Sequence, residues 1–161
     1  MATFTATERR SLGLLSVSHG GAYSVKNLCS TVEVTAATTV GRTINFGHIP
    51  SGARILGTSK LYWDDLATSG SPTLDLGLAA VDGNLANADD PNALYDAGDI
   101  TSASTGTVFP TAIETIGLPA WDFVASETVD PGGELSVYGS NVDAPINKAG
   151  TVTLELYYVV D

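Results

Sequence analysis

At 161 residues the chain is long enough for one domain with a real core and too short for two of ordinary size. Charged residues make up only 16% and the net charge is −11, so no basic stripe exists to track phosphates, and nucleic-acid binding is excluded as a role. A single cysteine, Cys29, rules out an intrachain disulfide and a cysteine zinc site.

Residues 1–21 are short of periodic pattern, rich in Thr and Ser, and contain Arg9-Arg10 and the break His19-Gly20-Gly21. They are expected to form an arm that packs on another subunit or partner, with a frayed end or an edge strand as the alternative. Arg9-Arg10 followed by Ser11–Leu15 faintly resembles a twin-arginine signal, but the apolar run is too short, and the segment is read as mature chain. No run approaches a membrane-spanning helix, so no membrane partner is expected.

From residue 22 onward the dominant pattern has a period of two, the mark of strands with one face on a core and one in water. Ala22–Lys26 and Val32–Ala36 are candidate strands, followed by Ile44 and Phe46 on one face. After the turn Ile49-Pro50-Ser51-Gly52, one face carries Ile55, Ser59, Leu61 and Trp63 and the other Arg54, Thr58, Lys60 and Tyr62. Leu74, Leu76 and Leu78 then alternate with Thr73, Asp75 and Gly77. Residues 82–105 lose the alternation and read as one long Asp/Asn-rich loop, with Asp90-Pro91 opening a single helical turn over Pro91–Asp96. The pattern resumes at Thr107–Phe109, Ile113–Ile116 and Trp121–Val124, and Asp130-Pro131-Gly132-Gly133 is a turn. Leu135 and Val137 alternate next, and the longest run closes the chain with Val152, Leu154, Leu156, Tyr158 and Val160 on one face. A strand this apolar belongs at the centre of a sheet. The expectation is therefore all-β: about eight strands in an antiparallel β-sandwich or jelly roll over 22–161, with an N-terminal arm.

Catalytic chemistry finds little to work with. His19 and His48 are the only histidines, no serine sits in a Gly-x-Ser-x-Gly elbow, and no Gly-Lys-Ser/Thr phosphate loop occurs. Asp64-Asp65 and Asp89-Asp90 are the candidates for paired carboxylates, but sequence neighbours on a strand face opposite ways, and Asp64-Asp65 is expected to end its strand after Trp63. Asp82, Asn84, Asn87, Asp89 and Asp90 offer oxygen ligands without the glycine and terminal glutamate of an EF-hand loop, so solvated turn residues are favoured over Ca²⁺. Trp63, Tyr95, Trp121 and Tyr138 would be the rings of a sugar platform, although the tryptophans are more often core in a sandwich. No enzyme and no cofactor is expected; a carbohydrate- or receptor-binding module is the alternative to a structural role.

The charge is unevenly spread. Residues 1–60 hold six of the seven basic residues against two acidic ones, a net of +4, whereas 61–147 holds fourteen acids and no Lys or Arg. If that asymmetry survives folding, Arg9, Arg10, Arg42, Arg54 and Lys60 are the expected contacts with an acidic partner surface, and the acidic portion faces solvent.

One family shares the layout of Ile49-Pro50-Ser51-Gly52-Ala53-Arg54-Ile55-Leu56-Gly57, Leu74-Asp75-Leu76-Gly77-Leu78, the segment with Asp82-Gly83 and Ala93-Leu94-Tyr95-Asp96-Ala97-Gly98-Asp99, and the ending Gly150–Leu156. Over residues 41–161 the chain resembles the head decoration, or cement, proteins of tailed bacteriophages. The resemblance implies a β-sandwich or jelly-roll homotrimer, made in the host cytoplasm, that sits outside the shell and bridges neighbouring subunits of the major capsid protein. It carries over no active-site residues, because such proteins have none.

Overall fold

A computed structural model describes residues 4–5, 24–81, 89–112, 115–124, 129–130 and 132–160. Ten strands occur among them: β1 (Phe4–Thr5), β2 (Lys26–Val34), β3 (Thr43–Pro50), β4 (Ala53–Ile55), β5 (Lys60–Trp63), β6 (Thr73–Ala80), β7 (Asp89–Asp99), β8 (Ser104–Thr107), β9 (Glu134–Val142) and β10 (Gly150–Val160). They form two sheets, one ordered β1-β3-β9-β6-β7 and the other β2-β10-β5-β8, with β4 paired to β10 beyond the end of β5. We call these the A sheet and the B sheet. Setting aside β1 and β4, the chain crosses between sheets after every strand except β6, which is the winding of a jelly roll; every pairing except the parallel β1–β3 is antiparallel.

The alternating leucines meet between the sheets. Ile44, Phe46, Leu74, Leu76, Leu78, Leu135 and Val137 from the A sheet pack with Val32, Val34, Leu61, Trp63, Val152, Leu154 and Leu156 from the B sheet. The last strand, β10, does lie centrally, between β2 and β5. In β3 the register against β9 shifts between Asn45 and Gly47; Gly47 takes φ 128° and gives its N–H to Asn45 Oδ1 at 2.9 Å. That bulge flips the parity, which is why Ile49 is buried as well as Ile44 and Phe46. Ser59 is buried on the face assigned to it, and its hydroxyl ties the 56–59 turn to β10 by donating to Leu56 O at 2.7 Å and accepting from Tyr157 N–H at 2.8 Å.

Four expectations are corrected. The part of the Asp/Asn-rich loop that is described is not loop: Asp89–Asp99 is β7, paired with β6, and no helical turn forms after Asp90-Pro91. Its alternation is hidden because the β6–β7 register shifts twice, between Leu74 and Leu76 and between Leu76 and Leu78. At the second shift the β7 backbone folds over Gly77, so close that a Cβ there would lie 2.0 Å from Asp90 O. The freed Ala93 and Leu94 are buried and accept backbone bonds from Thr111 and Phe109 instead. Second, Ala120–Phe123 is a 3-10 turn and not a strand; Trp121 N–H is spent on Ser51 O at 3.0 Å. Third, β8 stops at Thr107, short of Phe109, and fourth, β2 stops at Val34, leaving Ala36 exposed. Ala22, Tyr23, Ile113 and Glu114, and the 1–21 arm apart from β1, lie outside the described residues.

Candidate docking face

The weighed catalytic residues do not converge. His48, on the outer side of β3, pairs with Glu134, Nδ1 to Oε2 3.3 Å, and both side chains are well exposed. His19 lies outside the described residues, as do Asp82, Asn84 and Asn87. Asp64 and Asp65 end β5 as the sequence suggests and are structural: Asp64 Oδ2 accepts the Thr151 N–H (2.7 Å) and hydroxyl (2.8 Å), while Asp65 Oδ2 meets Lys148 Nζ at 2.6 Å. These partners hold both carboxyls below the usual range, the Thr151 bonds for Asp64 and Lys148 for Asp65. No group of three or more His, Cys, Asp or Glu placed to hold a metal occurs among the described residues.

The four rings do not make a platform either. Trp63 is buried, with Nε1–H donating to Ser102 O at 3.1 Å, and its ring lies 6.0 Å from that of Tyr95. Tyr95 crosses from β7 to fill the space over Gly98 and Gly106, so it clasps the β7 and β8 sides of the sandwich together. Trp121 packs against the core, and only Tyr138 stands on an outer face.

What folding does organise is charge. The strands of the A sheet carry Asp75, Asp89, Asp90, Asp96, Asp99 and Glu134 with no Lys or Arg. The strands of the B sheet carry Lys26, Arg54 and Lys60 against Glu33 and Glu155. The asymmetry of the sequence thus becomes a difference between sheets, although not a division of the chain into halves, since β3 joins the acidic sheet and β10 the other.

Alternation fixes the outer side of the B sheet. Across four strands run Thr105, Tyr62, Thr153 and Thr31, and beside them Thr107, Lys60, Glu155 and Cys29. Thr31 and Thr153 share a hydroxyl bond of 2.9 Å, Lys60 Nζ donates to Thr107 Oγ1 at 2.7 Å, and Tyr62 donates to Glu155 Oε2 at 3.3 Å. Burial, and next Glu155, push the Tyr62 hydroxyl and the Cys29 thiol up. Further along β10, Tyr157 and Val159 lie half-buried on this side, with Arg54 opposite Val159. Arg54 Nη1 donates to Gly117 O. The four-residue offset from Val159 to Glu155 separates Arg54 from Lys60 by about 13 Å along the face.

Of the five basic residues singled out in the sequence, the fold brings Arg54 and Lys60 to this one face. Arg42 sits at the opposite end of the molecule, beside Asn141, whose Oδ1 accepts its N–H at 3.1 Å. Arg9 and Arg10 lie outside the described residues. Sequence reasoning sets Tyr62 on one face with Arg54 and Lys60, and Thr153 and Tyr157 on one face of the last strand; what it missed is that these are the same face, joined by Thr31 and Thr105, which follows only from the pairing of β2, β10, β5 and β8.

No family model matches the sequence, and no curated protein matches it. Solved structures do. A chain in the capsid of Ralstonia phage GP4 superimposes with a TM-score of 0.58 at 19% identity, over 99% of this chain and 99% of that one. A chain in the capsid asymmetric unit of cyanophage Pam1 gives a TM-score of 0.57 at 24% identity, over 96% of this chain and 98% of that one. The chain therefore shares, from end to end, a fold that is found in chains of two phage capsids.

Proposed function

We propose that this chain is a non-enzymatic structural protein of a phage virion, which decorates the outside of the capsid and cements it by bridging subunits of the major capsid protein. The observation that supports this reading best is the end-to-end agreement in fold with chains of two phage capsids. The two unlike sheets fit the role. The B sheet, with Arg54, Lys60 and a flat array of hydroxyls, faces the shell, and the carboxylate-rich A sheet faces outward, where like charge keeps virions apart. Many weak contacts repeated by symmetry suffice to hold a shell, so no single strong site is required.

A homotrimer is the assembly proposed, since a closed cyclic oligomer matches the three-fold positions of a shell and half-buried Tyr157 and Val159 gain cover. Residues 1–21 are the docking arm, and the body from residue 22 onward folds without them.

The test is binding to phage heads stripped of outer proteins. Intact protein is expected to sediment with heads, protect them from rupture, and release progressively as salt rises. Protein that neither associates with heads nor protects them would overturn the reading. Light scattering on the free protein decides the trimer.

A further inference from the structure

The outer side of the B sheet holds a carboxylate that the described part of the chain does not neutralise. Glu155 on β10 lies directly opposite Lys60 on β5, a cross-strand position where opposite charges ordinarily pair. Lys60 turns instead to β8, where Nζ donates to Thr107 Oγ1 at 2.7 Å, and among the described residues no cation pairs with Glu155. The Tyr62 hydroxyl is its hydrogen-bond partner, 3.3 Å from Oε2. After burial, the charge of Glu155 is the next cause that pushes the Tyr62 hydroxyl and the Cys29 thiol up.

Two rings stand beside this carboxylate. Tyr157 follows two residues along β10 on the same side, and Tyr62, level with Thr153 on the neighbouring strand, leans along β10 to reach Glu155. The Tyr157 phenol is near enough to act on the Tyr62 hydroxyl as well, yet the two rings do not pack on each other as Trp63 and Tyr95 do. Tyr62 is 41% exposed and Glu155 and Tyr157 are half-buried, so the group is accessible from solvent.

We propose that Tyr62, Glu155 and Tyr157 form a receptor for one arginine side chain of the major capsid protein, with the carboxylate meeting the guanidinium and the two phenol rings flanking it. A planar guanidinium suits this arrangement better than an ammonium, because its edge donates to a carboxylate while its faces stack on rings. With Lys60 one strand away, the face carries both signs side by side. A shell surface that fits it presents a carboxylate to Lys60 and an arginine to Glu155, and such paired charges fix one register and reject a surface of uniform charge. The partner named here rests on the docking reading above; the chemistry of the receptor does not.

That chemistry is tested on the free, full-length chain by following tyrosine ring resonances while N-acetyl-arginine amide is added. Shifts confined to Tyr62 and Tyr157 are expected. None is expected with the uncharged citrulline analogue, nor in Glu155→Gln, whose amide keeps the shape and an acceptor for Tyr62. No shift, or an equal one with citrulline or in Glu155→Gln, would overturn the receptor. The partner is tested on stripped heads, where Glu155→Gln is expected to bind about tenfold more weakly than the parent at low ionic strength. If the parent binds heads and Glu155→Gln binds them equally well, the proposal is overturned and the docking reading stands. If the parent binds the arginine amide and does not bind heads, the choice of partner is overturned together with the docking reading.

Discussion

The two sheets are built from the same alternation of leucines and threonines, yet they differ in what they turn to solvent. The A sheet is bulged in β3 and twice in β7, and its strands bear only carboxylates among charged residues other than His48. Strands β2 and β5 of the B sheet keep an unbroken register along β10, and the strands of that sheet together mix three cations with two anions. Bulges raise local twist and spoil flatness, whereas an unbroken ladder leaves a flatter face. The difference teaches that regular pairing leaves a surface suited to repeated contact, and that irregularity is concentrated on the carboxylate-bearing sheet.

The largest effect should come from adding one methyl group to each sheet. Gly77→Ala in the A sheet drives a Cβ into the Asp90 and Pro91 backbone, which cannot yield without dislodging β7, and is expected to cost about 3 kcal/mol. Gly106→Ala in the B sheet meets the far end of the Tyr95 side chain, 2.5 Å away, which shifts more readily than backbone, and should cost about 1 kcal/mol. Urea denaturation of both variants measures the two costs. Equal losses would show that the folding-back of β7 over Gly77 is no tighter than an ordinary side-chain contact.

Charge comes next. Lys60→Glu alters the outer side of the B sheet at the loss of only a bond to Thr107, and should weaken binding to heads about tenfold, or about 1.4 kcal/mol, at low ionic strength. Ser136→Glu adds an acid to the outer side of β9 and should leave binding unchanged. If the two exchange their effects, the A sheet is the docking face.

A smaller and opposite change is expected in β2. Ser30→Ala removes an unpaired buried hydroxyl without leaving a sizeable cavity, so the isolated subunit should gain about 1 kcal/mol. A loss of stability in the subunit would mean that the hydroxyl is satisfied.

Much of the fold was legible because burial with a period of two survives wherever the ladder is regular. Leu74, Leu76 and Leu78, Leu135 and Val137, and Val152 to Tyr158 are all assigned to the correct face from sequence. β7 was hidden because its two bulges place Ala93 and Leu94, neighbours in sequence, both inside. Trp121 to Val124 alternates like a strand, but its backbone bonds go to Ser51 and to its own turn. The outer side of the B sheet was half legible. Arg54 and Lys60 were singled out by charge, whereas Arg42 was grouped with them by sequence proximity and lies at the other end. Nothing local to Thr31, Tyr62 or Thr105 marks them as neighbours; that follows only from the pairing of β2, β10, β5 and β8.

The smallest effect separates two aspartates that the sequence presents alike. Asp75, on the outer side of the A sheet, has its carboxyl pushed up, first by burial and then by Asp96 and Asp143, although the Ala97 N–H at 2.8 Å opposes this. Asp64, at the end of β5 in the B sheet, has its carboxyl pulled down by the Thr151 N–H and hydroxyl. A folded-state value above the unfolded one means that the group favours folding while protonated, and that this contribution is lost as pH rises through the folded value. Asp75 therefore works against stability at neutral pH. Asp75→Asn keeps an oxygen for Ala97 and should gain about 0.5 kcal/mol near pH 7, the scale of an exposed charge interaction, with no gain near pH 3, where the native side chain is already neutral. Asp64 runs the other way: its contribution is present above the unfolded value and lost as pH falls through the lowered one, so Asp64→Asn should lower the melting temperature at pH 7 and change little in strong acid. Melting curves of the two variants against pH should thus diverge in sign near neutrality and converge on the parent in acid. Two curves displaced in the same direction at pH 7 would show that burial and the neighbouring Asp96 and Asp143 do not destabilise the Asp75 carboxylate enough to matter.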